Sequence, residues 1–281
     1  MKQKIIQILK VLFLISIVLT ITMYWYDQYI YYFTDTYSFD NYSLEESIEC
    51  PWDSNVALIS IHGDIVTYLY TSEELEEIDM TSSEQIVRYI DEIEQDEYIG
   101  ALIVEIDSYG GYPVASEEIA NALRRMEKPT IALIRERAAS GAYLVATGAD
   151  KIYASEASDI GSIGVTMSYL DYSEQNKKEG IIYQQLSSSK FKDAGDPDKE
   201  LTPEEKELYM RDLNILHDIF VRKVAENRNL DIEKVEKLAD GSTMLGQAAK
   251  DNGLIDEIGD LYDVKQWIKE ELGIDPVVCT Y

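Results

Sequence analysis

The sequence predicts an α/β fold with a mainly parallel sheet, preceded by one N-terminal transmembrane helix. Short apolar runs recur along the chain, and amphipathic helical segments separate them. Strands joined by helices form βαβ units, whose strands run parallel. A run of sixteen uncharged residues at positions 11–26 predicts the membrane helix.

Composition limits the classes of function. The chain has 281 residues, with 53 Asp and Glu against 25 Lys and Arg, and a formal net charge of −28. Because so acidic a surface repels phosphate backbones, we predict no nucleic-acid partner. Hydrophobic residues make up 46% of the chain, which is enough for a sizeable core and excludes intrinsic disorder for most of it.

The N-terminal segment has the pattern of an uncleaved membrane anchor. The apolar stretch covers residues 5–26 if Lys10 snorkels, and a helix of that length spans roughly 33 Å. Aromatic residues at 24–26 suit a membrane interface, whereas a cleaved signal peptide would need small residues there. Lysines at positions 2, 4 and 10 place the N-terminus in the cytoplasm. We therefore predict that residues 5–26 contact lipid and that the acidic body is extracytoplasmic.

Three regions are predicted: an anchor at 1–26, a stalk at 27–55 and a folded domain at 56–281. The stalk is rich in Tyr, Ser, Asp and Glu and has no clear periodicity. Cys50 and Cys279 lie near the two ends of the body and match no metal-binding spacing. In an oxidising compartment they could pair, and the sequence leaves a bridge and two free thiols both open.

The first half of the domain alternates strands with helices. Four short apolar runs are predicted strands, at 56–61, 101–106, 130–134 and 151–154. The segments between them are predicted helices, at 83–95, at about 115–126 and from near Ser140. In the first of these helices Ile86, Ile90 and Ile93 share one face.

The second half is predicted to be helical. Thr202-Pro203-Glu204-Glu205 combines a capping box with proline at the first helical position, so a long helix begins there and runs to about 226. Shorter helices are predicted at 231–239 and 262–272. Their apolar stripes form core or interface by default.

Few residue types remain to carry chemistry. The chain has two histidines, His62 at the end of the first strand and His217 on the long helix, and both positions favour a structural role. A Ser-His-Asp triad would need one of them. Zinc motifs, a Walker loop and the dinucleotide-binding glycine motif are absent from the sequence. We predict no metal and no cofactor.

Two glycine-marked turns follow successive strands. Asp107–Gly111 (DSYGG) comes directly after the strand at 101–106, and Ala138–Ala142 (AASGA) begins a helix of small residues. Adjacent glycines let backbone N–H groups point outward, and a helix N-terminus stabilises negative charge. Ser140 is therefore a candidate nucleophile beside an oxyanion site, with helix capping or tight packing as the alternative for either turn alone.

A serine nucleophile needs a base, and with so few histidines the other candidate is a neutral lysine. Lysine titrates near 10.4, so a base that works at pH 7–8 needs a pKa lowered by roughly 3 units, about 4 kcal/mol. Burial lowers the pKa of a lysine, whereas the charge of an acidic body raises it. The lysine is therefore expected to be screened from the acidic surface.

These turns, with Asp159–Val165 (DIGSIGV) and Ser189–Asp193 (SKFKD), resemble those of the signal peptide peptidase A family of membrane-bound serine proteases. The resemblance covers about residues 56–272 and includes ADG at 239–241 and GLIDEIG at 253–259. The family uses a Ser-Lys dyad on a crotonase-like α/β fold that it shares with Clp-type proteases. The resemblance therefore implies that fold here.

By position, the resemblance implies that Ser140 is the nucleophile and Lys192 the general base. The backbone amides of Gly111 and Gly141 would bind the oxyanion, with Gly110 in a supporting role. Three aspartates that follow the lysine are expected to point away from it, because a nearby carboxylate would keep it protonated.

Other assignments are less direct. Ser162 either orients the lysine or is a turn hydroxyl bonded to backbone. Lys190 is the rival base, but Lys192 matches the Lys-Asp pairing of the family. Asp107 and Tyr109 stand where the family usually has Asn and Pro, so the loop loses a source of rigidity while both of its glycines remain.

The resemblance implies an endopeptidase that cuts extended, apolar peptides such as remnant signal peptides through an acyl-enzyme on Ser140. It also implies a homo-oligomeric ring that admits unfolded chains, with the dyad formed within one chain or between neighbouring subunits. Two alternatives remain. One is a catalytically inactive, membrane-anchored scaffold of the same fold. The other is a crotonase-type acyl-CoA enzyme, which export away from CoA disfavours.

Overall fold

The computed structural model describes residues 16–17, 19–26, 50–69 and 79–281. The chain divides into two units, Met1–Ile48 and Glu49–Tyr281. In the first unit the described residues are helical. The rest of the predicted anchor, and positions 27–49 of the predicted stalk, lie outside the described residues. Where the chain is described, no helix combines the length and the apolar character needed to cross a membrane.

The described part of the second unit forms one nine-stranded sheet with the central order β2-β1-β3-β4-β5-β8. In chain order, the strands are Val56–Val66 (β1), Met80–Ser82 (β2), Ala101–Gly111 (β3), Thr130–Ala139 (β4), Lys151–Ala154 (β5), Asp159–Gly161 (β6), Thr243–Leu245 (β7), Glu257–Ile258 (β8) and Val278–Thr280 (β9). β6 pairs with β4 and β7, and β9 pairs with β1. Every pairing is parallel except that of β6 with β7. The predicted α/β fold with a mainly parallel sheet is confirmed.

Helices cover both faces of this sheet. They are Ser83–Gln95 (α1), Pro113–Arg125 (α2), Gly141–Ala146 (α3), Ser173–Glu179 (α4), Pro203–Arg228 (α5), Ile232–Leu238 (α6), Gly246–Asn252 (α7) and Leu261–Leu272 (α8). Alternate residues of β1 point to opposite faces. Ile59 and Ile61 join the core that contains α1, α2, α3 and α5, whereas Val56 and Leu58 join a smaller core with Val264 of α8.

β3 and β4 are longer than the sequence predicts. The predicted turn at 107–111 continues β3, because Gly111 still pairs with Ile65 of β1 and Ser108 still pairs with Ala138 of β4. The prediction of a turn there is therefore wrong. The apolar pattern of β3 ends at Ile106 because residues 107, 109 and 111 lie on its exposed face. The pairing of β3 with the neighbouring strands continues beyond that residue.

A disulfide joins Cys50 to Cys279, whose Cα atoms are 5.0 Å apart across a sequence separation of 229 residues. Of the two alternatives that the sequence leaves open, the structure has the bridge. Cys279 lies buried in β9, next to β1. The disulfide therefore ties the start of the second unit to the edge of its sheet.

We expect reduction of this disulfide to lower the free energy of unfolding by about 2–5 kcal/mol, because the cross-link closes a long loop in the unfolded chain. Thermal unfolding with and without dithiothreitol measures the effect. A Cys50→Ser/Cys279→Ser variant should unfold at the same temperature as the reduced wild type, and dithiothreitol should not change that temperature. An oxidised wild type that unfolds at the same temperature as this variant would contradict the expectation.

Candidate active site

Ser140 lies where β4 ends and α3 begins, in a strained backbone conformation. Its φ is 53° and its ψ is −125°, a region that residues other than glycine rarely occupy. Its amide donates a hydrogen bond to the Gly161 carbonyl at 2.8 Å, and its carbonyl accepts hydrogen bonds from the amides of Tyr143 and Leu144. These bonds hold the strained turn, which keeps the half-buried serine at the head of the helix.

A cavity of about 670 Å³ opens beside this serine. It brings together four of the predicted site residues: Ser140, Gly111, Gly141 and Ser162. Most of its remaining wall is apolar, from Val114, Leu144, Val165, Leu216, Ile219 and Phe220. A cleft of this size and character suits apolar side chains of a peptide.

The glycine pair that ends β3, Gly110 and Gly111, packs backbone against backbone on the head of α3. A Cβ atom added to Gly110, whose φ is 108°, would lie 2.7 Å from the Gly141 nitrogen. One added to Gly141 would lie 3.3 Å from the Gly111 nitrogen. Gly141 is the first residue of α3, where backbone amides have no acceptor within the helix. The two amides therefore lie close together next to Ser140, as donors to an oxyanion must.

We expect Gly110→Ala to lower the free energy of unfolding by about 2–4 kcal/mol, because the methyl group meets both a positive φ and the neighbouring turn. Gly180→Ala is the matched control, since Gly180 has a φ of 75° but nothing within 4 Å of an added Cβ. Urea unfolding of both variants separates the clash from the backbone cost. Equal losses of unfolding free energy in the two variants would show that the end of β3 and the head of α3 are not in close contact.

Ser162 also has a positive φ, of 50°, and lines the cavity. Its hydroxyl donates a hydrogen bond to the Gly241 carbonyl at 3.0 Å. The hydroxyl is thus bonded to backbone, as one of the two sequence interpretations has it, and the bond ties the end of β6 to the turn at 239–241. An action of Ser162 on a catalytic lysine stays a prediction.

Lys192 is not among the residues that line the cavity. It is exposed on the loop between α4 and α5, where its amide donates a hydrogen bond to the Ser189 carbonyl at 3.3 Å. Within the described part of the chain, neither Lys192 Nζ nor Ser140 Oγ has a hydrogen bond or ion pair with another described residue. In the described part of the chain the two predicted dyad residues are therefore not hydrogen-bonded to each other, and only Ser140 lines the cavity.

Carboxylates close to Lys192 in sequence are bound by other donors. Asp193 accepts a hydrogen bond from the Tyr183 hydroxyl, which raises the pKa of Tyr183. Asp198 accepts one from Asn176 Nδ2 at 2.9 Å. Neither carboxylate pairs with Lys192.

Lys223 of α5 lines the cavity, although no sequence motif singled it out. Its Nζ lies 2.9 Å from Glu117 Oε1 and 3.3 Å from Asn121 Oδ1. The hydrogen bond from Lys223 lowers the pKa of Glu117. Both partners accept hydrogen bonds from this lysine. Its helical spacing from Leu216 and Phe220 is the signal that could have placed it on the cavity wall.

His217, for which the sequence favoured a structural role, also lines the cavity. It lies on the same helix and is half-buried. His62 is exposed on β1. The cavity therefore contains one histidine and one lysine of this chain, and both are rivals to Lys192 as a base.

The helix that carries Ser140 is held from behind by the GLIDEIG segment. The fully buried Tyr143 donates a hydrogen bond from its hydroxyl to the Leu254 carbonyl at 2.9 Å, and burial raises the pKa of this tyrosine. Two residues on, Asp256 accepts hydrogen bonds from Arg228 at 2.7 and 3.1 Å and from the Ile152 amide at 2.7 Å. This segment therefore serves the site by packing and by hydrogen bonds.

Comparison with known proteins decides the family. Residues 122–275, more than half of the chain, match the sequence description of peptidase family S49. The chain belongs to peptidase family S49. The resemblance to signal peptide peptidase A is thereby confirmed.

This S49 chain is 34% identical over 198 residues to a candidate protease of Methanocaldococcus jannaschii, which covers 69% of this chain and 64% of the relative. It is 35% identical to a candidate signal peptide peptidase A of Enterococcus faecium, over 67% of this chain and 56% of the relative. Protease 4 of Haemophilus influenzae is 29% identical, over 73% and 33%. The chain thus spans between a third and two thirds of the length of these relatives.

Two solved structures resemble the S49 chain in part. A ClpP1 mutant from Listeria monocytogenes has a TM-score of 0.48 and 16% identity, over 73% of this chain and 92% of that one. A mutant of 1510-N, a membrane-bound stomatin-specific protease, has a TM-score of 0.47 and 18% identity, over 76% and 84%. Both scores are below 0.5, so the family assignment depends on the sequence matches.

Proposed function

We propose that this S49 chain is a membrane-anchored serine endopeptidase that hydrolyses extended peptide segments such as remnant signal peptides. The observation that carries the proposal is the position of Ser140, strained at the head of α3 in a cavity that the glycines at 111 and 141 also line. A nucleophile beside two backbone amides is the constellation of acyl transfer.

In the proposed reaction, Ser140 Oγ attacks the carbonyl carbon of the scissile peptide bond while Lys192 Nζ takes its proton. The amides of Gly111 and Gly141 donate hydrogen bonds to the oxyanion that forms. As the tetrahedral intermediate collapses, the lysine returns the proton to the departing amine. Water, deprotonated by the same lysine, then hydrolyses the acyl-enzyme.

We propose that a neighbouring copy of the chain supplies Lys192. In support, Lys192 lies outside the cavity of its own chain, and the segment that precedes it exposes apolar side chains. These are Met167, Tyr169, Leu170, Ile181, Ile182 and Leu186. Exposed apolar surface of this kind is typical of an interface with another chain. Enclosure there would remove water from the amine, which favours its neutral, basic form.

We further propose that residues 5–26 anchor the protein in the membrane with the N-terminus in the cytoplasm and the catalytic domain outside. The basic residues near the N-terminus and the apolar run support this orientation. The disulfide between Cys50 and Cys279 supports it too, because disulfides persist in oxidising compartments. Protection of the domain from protease added to intact cells would contradict this orientation.

Hydrolysis of casein, a disordered protein, tests the enzymatic proposal. We expect wild type to cleave casein, to spare a compact folded protein and to keep its activity in EDTA. A fluorophosphonate probe should block hydrolysis by reacting with Ser140. If the wild type shows no hydrolysis and no labelling, the result would favour the inactive, anchored scaffold instead.

A further inference from the structure

The register of the sheet shifts on both sides of β3 at nearly the same level. Between β3 and β4 it shifts after Ile106, and between β1 and β3 it shifts between His62 and Asp64. There Ser108 and Tyr109 of β3 lie opposite the single residue Gly63 of β1, whose φ is 57°, so the bulge is in β3. Regular ladder bonds are therefore interrupted just before the glycine pair that borders the cavity.

Ser108 lies inside this interruption, and 1% of its surface is exposed. Its hydroxyl donates a hydrogen bond to the Gly63 carbonyl at 2.6 Å and accepts one from the Gly110 amide at 2.9 Å. One side-chain oxygen thus connects Gly63 of β1 to the glycine pair, Gly110 and Gly111, that ends β3. It supplies the link that the shifted ladder lacks.

The two glycines that follow at the end of β3, Gly110 and Gly111, have no room for a side chain. A Cβ added to Gly111 would lie 2.1 Å from the Ile65 carbonyl oxygen, and one added to Gly110 would lie 2.7 Å from the Gly141 nitrogen. This glycine pair therefore lies between β1 on one side and the head of α3 on the other. A small shift of its backbone would move the Gly111 amide relative to Ser140.

We propose that Ser108 is a positioning residue for the oxyanion site: its hydroxyl fixes the glycine pair at the end of β3 against Gly63 of β1, so that the Gly111 amide points at the reacting carbonyl. The inference rests on the proposed peptidase function.

The test compares Ser108→Ala with Ser158→Ala. Ser158 is a matched control, because it is equally buried and its hydroxyl likewise bridges two backbone groups, the Arg135 carbonyl and the Ser155 amide. It does not line the cavity. We expect both variants to lose stability, since each leaves buried backbone groups without a partner.

Only Ser108→Ala should lose catalysis. At a temperature where both variants are folded, we expect its kcat on a peptide ester to fall about 100-fold with KM nearly unchanged, as for a misplaced catalytic group. Ser108→Thr, which keeps the hydroxyl, should recover at least a tenth of the wild-type kcat. If Ser108→Ala does not fold, Ser108→Cys, a weaker hydrogen-bonding group of similar shape, takes its place.

Three outcomes are informative in different ways. Equal kcat in the Ser108 and Ser158 variants overturns the inference, as does a fall in Ser108→Ala that appears in KM alone. Loss of kcat confined to the Ser108 variants, with recovery in Ser108→Thr, supports it. A wild type without Ser140-dependent hydrolysis refutes the proposed peptidase and, with it, the role of Ser108 in that reaction.

Discussion

Replacing Ser140 with alanine is expected to lower kcat by roughly 10⁴- to 10⁶-fold, the range measured when a serine nucleophile is removed. The reason is geometric: this hydroxyl lies in the cavity at the head of α3, beside the amides of Gly111 and Gly141. Casein hydrolysis measures the loss. Labelling by a fluorophosphonate should disappear in parallel.

The control for this experiment is Ser158→Ala, which removes a serine hydroxyl that does not line the cavity. Its labelling should match that of wild type. Labelling of Ser140→Ala at the wild-type rate would show that another residue is the nucleophile. Persistent hydrolysis without labelling would point to a contaminating protease, which a second purification would remove.

Replacing Lys192 with alanine is expected to lower kcat at least about 10³-fold, because Lys192 is the base proposed to take the proton from the serine. Lys190→Ala is the matched control on the same loop. Lys190 lies 3.8 Å from Glu204 and 5.0 Å from the ring of Phe191, so its ammonium already has partners. We expect that variant to keep most of its activity.

Mixing the two inactive variants then locates the dyad. If the neighbouring copy supplies Lys192, co-assembled Ser140→Ala and Lys192→Ala chains should regain about a quarter of wild-type activity, because random assembly leaves that share of sites with both groups intact. If the dyad forms within one chain, every site in the mixture stays inactive. Full activity of Lys192→Ala, with loss of activity in Lys223→Met or His217→Gln, would assign the base to the cavity wall instead.

Much of the fold could be predicted because local signals and packing agree. The helix Ser83–Gln95 begins and ends where the sequence predicts, since Ser82 caps it and Ile86, Ile90 and Ile93 are buried along one face. The short strands β2, β6, β7, β8 and β9 were not predicted. They are two or three residues long, and distant partners define them.

The candidate site could be predicted only in part. Ser140, Gly111 and Gly141 gather at one cavity because consecutive parallel strands end at the same edge of the sheet. Lys192 does not line this cavity, and no sequence pattern places its loop relative to Ser140. Lys223 was missed because a lysine on an amphipathic helix reads as a solvated residue until its neighbours are known.

The hydrogen bond from Tyr143 behind α3 bears on how the cavity can accept peptides of different size. Tyr143 bonds α3 to the Leu254 carbonyl, and Arg228 binds Asp256 two residues further on. For the proposed peptidase we therefore expect room for a bulkier peptide to come from cavity residues of α5, such as Leu216 and Phe220, rather than from movement of Ser140. Differences in substrate preference among related peptidases are therefore expected to follow sequence changes in α5. The segment behind α3 is expected to vary less.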